Sequence, residues 1–326
     1  MAAGPGEPGQ PDGNQQTRQR REETRERHPP EGEWRADPLA RSQHSRLDQE
    51  IRAPAEDYDE ERATELCAGL CRGLLGDFAP SLLLLSAEER RRVQALVAYV
   101  HTLFDFARQH GVEGERLAQI NRWEFTLELA LSGQKVGQPI FVAMAREHAL
   151  RPWPEAALAE ITTAARRRAM RPRPGSPREA EAESERLARA AALAVLGREP
   201  AAPLAAFGGA LLRLHALQNL GPESGRNRCP LPESDLPTDF EDPPGPDQLL
   251  EAAQKECQRL RSRLLKAPRG LAELTSRYRR AAVFSLLAAL KLLIAIEDGG
   301  TDLLADPPRL SLLARLSLLA RARIAG

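Results

Sequence analysis

The chain is 326 residues long, and Lys+Arg and Asp+Glu both total 46, so its formal charge is zero. That length buries a real core in one large or two medium domains. The balanced charge leaves no global basic surface for nucleic acid.

Taken in chain order, residues 1–52 form a polar tail rich in Gly, Pro, Gln, Arg and Glu. It lacks the apolar core of a signal peptide, and its composition predicts disorder. From 53 to 326 the chain reads as one all-α domain: Ala, Leu, Arg and Glu dominate, and no alternating strand pattern occurs. Helices are expected over about 57–75, 87–109, 113–132, 139–149, 154–170, 178–197, 201–220, 246–265, 270–297 and 309–324. Ser86 before Ala87-Glu88-Glu89, and Pro154 before Glu155, are start signals; Gly133 and Gly197 are stops. Arg171 to Pro177 should be an exposed turn, and Gly221 to Pro246 a long functional or mobile loop. Ala281 to Ile296, the most apolar stretch, is too short to span a bilayer and carries Lys291, so a core helix is expected.

Cys67 and Cys71 lie one turn apart, but no second pair completes a zinc site. With Cys229 and Cys257 they read as buried thiols in a reducing cytoplasm. Gly208-Gly209 sits in a helical context and points to close helix packing. Two helices place polar residues on one face amid apolar neighbours: His101, Asp105 and Arg108 on one, His215 and Asn219 on the other. The plain reading of both is a solvated face or a satisfied core polar group. The segment Arg309 to Ile324 combines a leucine face with repeated arginines. That pattern suits peripheral membrane contact, to be weighed against simple packing on the core.

The polar-faced segments carry a resemblance. Leu96 to Arg108 resembles the first aspartate-rich helix of the squalene/phytoene synthase family, and Asp77-Phe78 to Ser86 resembles the segment before it. Phe207 to Glu223 is similar to the family's second motif, and Gly225-Arg226 leading to Pro230-Leu231-Pro232 is similar to its Gly-Arg loop. Trp123, Gly133, Pro139, and Ile296-Glu297 through Leu312 agree in order and spacing. The resemblance covers about residues 57–324. It implies the isoprenoid synthase-like helical bundle around a central cavity. It also implies head-to-head joining of two prenyl diphosphates, with Mg²⁺ held by aspartates on two facing helices.

Against that pattern the acidic residues are depleted. Phe104 stands for the leading aspartate of the first motif and Arg108 for the last, while Asp105 is kept. Asn219 and Glu223 stand for the aspartates of the second. Asp77 replaces a serine, and His101 and Gln218 replace arginines. Near the family's third acidic helix, Glu160 is followed by Arg166-Arg167-Arg168. Asp105, Asn219 and Glu223 are thus a vestigial metal set. His101, Arg108 and Arg226 are the candidate diphosphate-binding residues, since arginine matches phosphate oxygens well. Mg²⁺ is implied only for an active enzyme. The expectation is a catalytically impaired cytoplasmic member that binds a prenyl diphosphate, another isoprenoid lipid or a protein partner. An active prenyltransferase and a peripheral membrane adaptor are the alternatives.

Overall fold

Asp59 opens the first helix, α1 (Glu60–Leu75), by accepting the Arg62 N–H at 2.7 Å, as an N-cap carboxylate should. The computed structural model describes residues 59–109, 112–171, 173–220, 229–236, 245–299 and 302–325. The expected tail 1–52 and the first residues of the domain lie outside them. Gly76, at φ 48, ends α1 and leads into a 3-10 segment, Gly76–Leu84. Next, α2 (Ala87–Arg108) starts in a capping box: Ser86 Oγ accepts the Glu89 N–H at 3.2 Å and Glu89 Oε2 accepts the Ser86 N–H at 2.8 Å. Both orphan donors are satisfied reciprocally.

The chain continues through α3 (Glu113–Leu131), α4 (Pro139–Leu150), α5 (Glu155–Met170), α6 (Pro177–Leu196) and α7 (Ala202–Gln218). Then come α8 (Pro246–Leu264), a short α9 (Pro268–Leu271), α10 (Ser276–Gly299), a short α11 (Asp302–Ala305) and α12 (Leu312–Ala325). Every regular element among the described residues is helical. Ser86 and Glu155 begin helices as the sequence indicates, and Gly133 (φ 85) and Gly197 (φ 72) take the left-handed backbone that terminates them.

Two expectations need correction, and one apolar segment needs comment. The helix expected over 270–297 is broken, and α10 begins only at Ser276. The chain turns there to seat Gly270 on the start of α7, so close that a Cβ would lie 2.6 Å from the Leu204 nitrogen. The turn after α5 is not simply exposed. Pro174 is buried, and the Pro174 and Gly175 carbonyls accept the Glu233 and Ser234 N–H groups at 2.9 and 3.1 Å, because carbonyls covered by protein need donors. Lastly, Glu60–Leu84 is long and apolar enough by composition to cross a membrane. Yet Gly76 breaks it, and Leu66, Cys67, Leu70 and Cys71 are buried in the protein.

Among the described residues two large apolar clusters fill most of the interior, beside a small one of Cys71, Leu82 and Leu85. One gathers Tyr99, Trp123, Phe141, Met144 and Ile161 from α2 to α5, with Trp123 and Phe141 ring centroids 4.3 Å apart. The other joins Leu214 and Leu217 of α7, Cys257 and Leu260 of α8, and Phe284 and Leu292 of α10. Helices α6 and α7 approach through the glycines: a Cβ on Gly208 would lie 2.8 Å from Ala188 Cβ, and one on Gly209 3.0 Å from the Glu185 nitrogen. All four cysteines are buried free thiols. Burial pushes Cys67 and Cys71 up to about 12, which keeps them protonated and unreactive.

Helix α2 is fixed by one buried cation. Arg92 is 2% exposed and stacks over the Trp153 ring, 3.7 Å from its centroid. Its guanidinium donates to the carbonyls of Ala194 (2.9 Å), Arg151 (2.6 Å), Glu147 (3.3 Å) and Pro152 (3.3 Å). These carbonyls lie at the C-terminal ends of α4 and α6, where backbone acceptors lack helical donors and the helix dipole is negative. Burial, assisted by Arg151, pulls the Arg92 pKa down to about 10, so the group stays charged at neutral pH. Arg92→Met should cost about 3–5 kcal/mol, since it strands several buried acceptors. Arg92→Lys, which keeps the charge but not the fork, should cost less. Urea unfolding of the three proteins measures the order.

Candidate functional site

The candidate site lies at the C-terminal ends of α2 and α7, where the two polar faces sit. On α2, His101, Asp105 and Arg108 follow one another at helical spacing, all partly buried. His101 and Asp105 are each engaged with a partner. Arg108 closes the helix, its Nε donating to the Phe104 carbonyl at 3.2 Å, a favourable place for a cation. On α7, the Asn219 amide nitrogen donates to the His215 carbonyl at 2.8 Å and lies 3.3 Å from His215 Nε2. Asn219 therefore serves as the C-cap of α7, and the helix ends two residues earlier than expected.

The two helices meet electrostatically through Arg108. Burial first, and the positive charge of Arg108 second, push the His215 pKa down to about 4. The ring is neutral at physiological pH. Where the family's first motif ends in an aspartate, this chain carries a guanidinium, and the imidazole that feels its charge is neutral. Phe104, at the leading aspartate position, packs against the first apolar cluster.

Asp77 is also committed. It is 5% exposed, and its Oδ1 accepts the Leu310 N–H at 3.1 Å and Arg315 Nη2 at 2.7 Å. Gln218, at the end of α7, donates to Asp77 Oδ2 and to the Pro308 carbonyl, both at 3.4 Å. An internal ion pair thereby ties the 3-10 segment, the end of α7 and α12 together. Arg315 was not singled out by sequence reasoning; the signal was the unusual acid at 77, which needed a cation from elsewhere.

The arginines of α5 are similarly absorbed. Arg166 bonds Glu124 and, at 2.9 Å, Asn121 of α3, and Arg167 pairs with Glu160 at 3.1 Å. Among the described residues no group of three or more His, Cys, Asp and Glu is arranged to hold a metal ion. Asp105 is the one carboxylate of the vestigial set within them; Glu223 and Arg226 lie outside the described residues. As donors for Mg²⁺, which favours several carboxylate and phosphate oxygens, one carboxylate beside a guanidinium does not fit. An open depression of about 510 Å³ is lined by Glu181, Lys255, Gln258, Arg259, Ser262 and Arg263. No motif residue lines it, and its arginines are neutralised by Glu181, Glu185, Asp235 and Glu256.

The model of the family described as squalene/phytoene synthase matches residues 76–316. The chain belongs to the squalene/phytoene synthase family. Among solved structures it is similar to a dehydrosqualene synthase in complex with ligand, with 15% identity over 82% of this chain and 97% of that one, at a TM-score of 0.64. It is also similar to the squalene synthase HpnC from Alicyclobacillus acidocaldarius, with 18% identity over 74% and 95% and a TM-score of 0.59. YisP from Bacillus subtilis gives 13% identity over 81% and 99%, with a TM-score of 0.54. No curated protein matches. At these identities the structural likenesses establish the all-α isoprenoid synthase-like fold.

Two measurements follow from this geometry. The folded pKa of His215 lies below its ordinary value of 6.5, near 4, so the unfolded chain binds the extra proton. The stability this contributes is present above pH 6.5 and is lost as pH falls towards 4, by at most about 3 kcal/mol. His215→Gln should flatten the unfolding free energy across that window, read by denaturation at each pH. For the Asp77–Arg315 pair, a double-mutant cycle with Asp77→Asn and Arg315→Met should return a coupling of about 1–3 kcal/mol.

Proposed function

We propose that this chain is a catalytically impaired member of its family that binds a prenyl diphosphate, or a related isoprenoid lipid, without ionising it. One observation supports the reading: Arg108, not a carboxylate, closes α2, and its charge helps keep the buried His215 neutral.

Head-to-head prenyl transfer begins with departure of diphosphate from an allylic carbon. The leaving group is highly charged, and stabilising it as the bond breaks takes several kcal/mol. At about 1.4 kcal/mol per tenfold in rate, loss of that support is severe. Mg²⁺ would supply it when bound, but the described motif residues do not fit that ion. What they supply is different. Arg108 offers paired N–H donors that match phosphate oxygens, and His101 lies one to two turns before it on the same face. The uncharged His215 ring neither repels a lipid chain nor draws a proton at neutral pH. Residues of this kind would recognise a diphosphate headgroup and hold it intact.

A second reading, an active transferase joining two prenyl diphosphates, is favoured by one observation. Asp105 keeps its carboxylate on the polar face of α2, where a single ion could be recruited by substrate oxygens.

Purified protein with farnesyl or geranylgeranyl diphosphate separates the readings. With Mg²⁺ present, no squalene- or phytoene-type product should accumulate. Calorimetry should show binding that survives EDTA and weakens about tenfold or more in Arg108→Gln, the value of one charge-assisted contact. Product formation that Asp105→Ala abolishes would favour the second reading and sink the first.

A further inference from the structure

The C-terminal helix α12 is two-faced in an unusual way. Leu318, Leu319 and Ala322 are buried, and Arg315 is held by Asp77, so one face is locked onto the protein. The other face is also apolar. Leu312, Leu313, Leu316 and Ile324 are 72%, 78%, 54% and 87% exposed. At 100° per residue these four, with Ala320, fall within an arc of about 120°. Four large aliphatic side chains this exposed on one helix exceed the scattered surface leucines that folded proteins tolerate.

The helix cannot rotate to hide them. Turning the leucines inward would expel Leu318, Leu319 and Ala322 and leave Asp77, 5% exposed, without its guanidinium. The exposed face is thus a fixed feature of the fold.

Charge indicates what covers it. From Arg309 to Gly326 the chain carries Arg309, Arg315, Arg321 and Arg323 and no acidic residue. Arg309, Arg321 and Arg323 are exposed, and none forms an ion pair with a described residue. Arg323 lies within the leucine arc and Arg321 about 60° beyond its edge. Long arginine stems lie along apolar surface while their heads reach for polar groups. The neighbouring 3-10 segment, which packs against α12, exposes Leu83 at 57%. Aliphatic residues facing outward among cations, with no acid between them, match the boundary between acyl chains and anionic headgroups. A protein groove would reward the leucines but leave the arginines needing carboxylates.

We propose that the exposed face of α12 docks the protein onto an anionic lipid bilayer, lying in the interface without crossing it. The proposal is independent of whether the motif helices bind a ligand.

Vesicle co-sedimentation with the full chain tests it. The protein should pellet with vesicles of mixed phosphatidylglycerol and phosphatidylcholine, much less with phosphatidylcholine alone, and less again at high salt. Leu313→Glu/Leu316→Glu, which leaves the anchoring face intact, should lower vesicle affinity about tenfold or more, with the thermal midpoint unchanged. Arg321→Glu/Arg323→Glu should abolish the preference for anionic lipid. Failure of the wild-type protein to pellet, or pelleting of both variants equal to that of the wild type, overturns the proposal. So does a concentration-dependent dimer in light scattering that the leucine variant dissolves while vesicles are ignored, which would assign the face to a second copy of the chain.

Discussion

A single buried guanidinium sets the frame on which the candidate site depends. Arg92 gathers carbonyls from the ends of α4 and α6 and rests on the Trp153 ring. It thereby fixes the position and rotation of α2. Arg92 and His101 are nine residues apart, about 180° around a helix, so pinning one face of α2 also fixes where the opposite face points. The orientation of His101, Asp105 and Arg108 follows from a contact made entirely on the other side. A buried charge is retained here because it satisfies several acceptors that no neutral side chain of that shape could reach at once.

With α2 held this way, the sign of charge at its end decides the chemistry available. Arg108 puts a positive charge where the family's first motif ends in an aspartate, and His215, which feels that charge, is uncharged at physiological pH. The same reversal recurs beside it. Asp77 does carry a negative charge, but Arg315, the Leu310 N–H and Gln218 occupy its oxygens. The carboxylate is used as mortar between the 3-10 segment and α12. This last pairing also links the two proposals physically: the contact that removes Asp77 from any ligand-binding role is the one that locks α12 with its leucines outward.

Most of the fold was legible in the sequence because helix boundaries are written locally. Ser86 with Glu89, Glu155 after Pro154, and the glycines at 133 and 197 act within one turn of themselves. The exceptions were set from a distance. The break before Ser276 depends on Gly270 meeting the backbone of Leu204, and the burial of Pro174 depends on the N–H groups of Glu233 and Ser234. Neither contact is visible in a local window. The site was half legible for the same reason. Helical spacing puts His101, Asp105 and Arg108 on one face, and His215 and Asn219 on another. That Arg108 bears on His215, and that Arg315 answers Asp77 across 238 positions of chain, depends on tertiary placement alone.

The departures from the family pattern share a physical character. Phe104 adds to an apolar cluster; Asn219 caps α7; Gln218 bridges Asp77 and the Pro308 carbonyl; Asp77 holds Arg315. Each makes a contact within the folded chain. Carboxylates massed around a metal do the reverse, since like charges facing one another across a cavity oppose folding until a cation arrives. Catalytic sites commonly carry that strain at the expense of stability. Here the substituted positions among the described residues make contacts within the folded chain instead. On the proposed reading, such a polypeptide keeps the apolar interior and Arg108 as a partner for phosphate oxygens and gives up the means to break a carbon–oxygen bond. On that reading, binding is the function left to such a site.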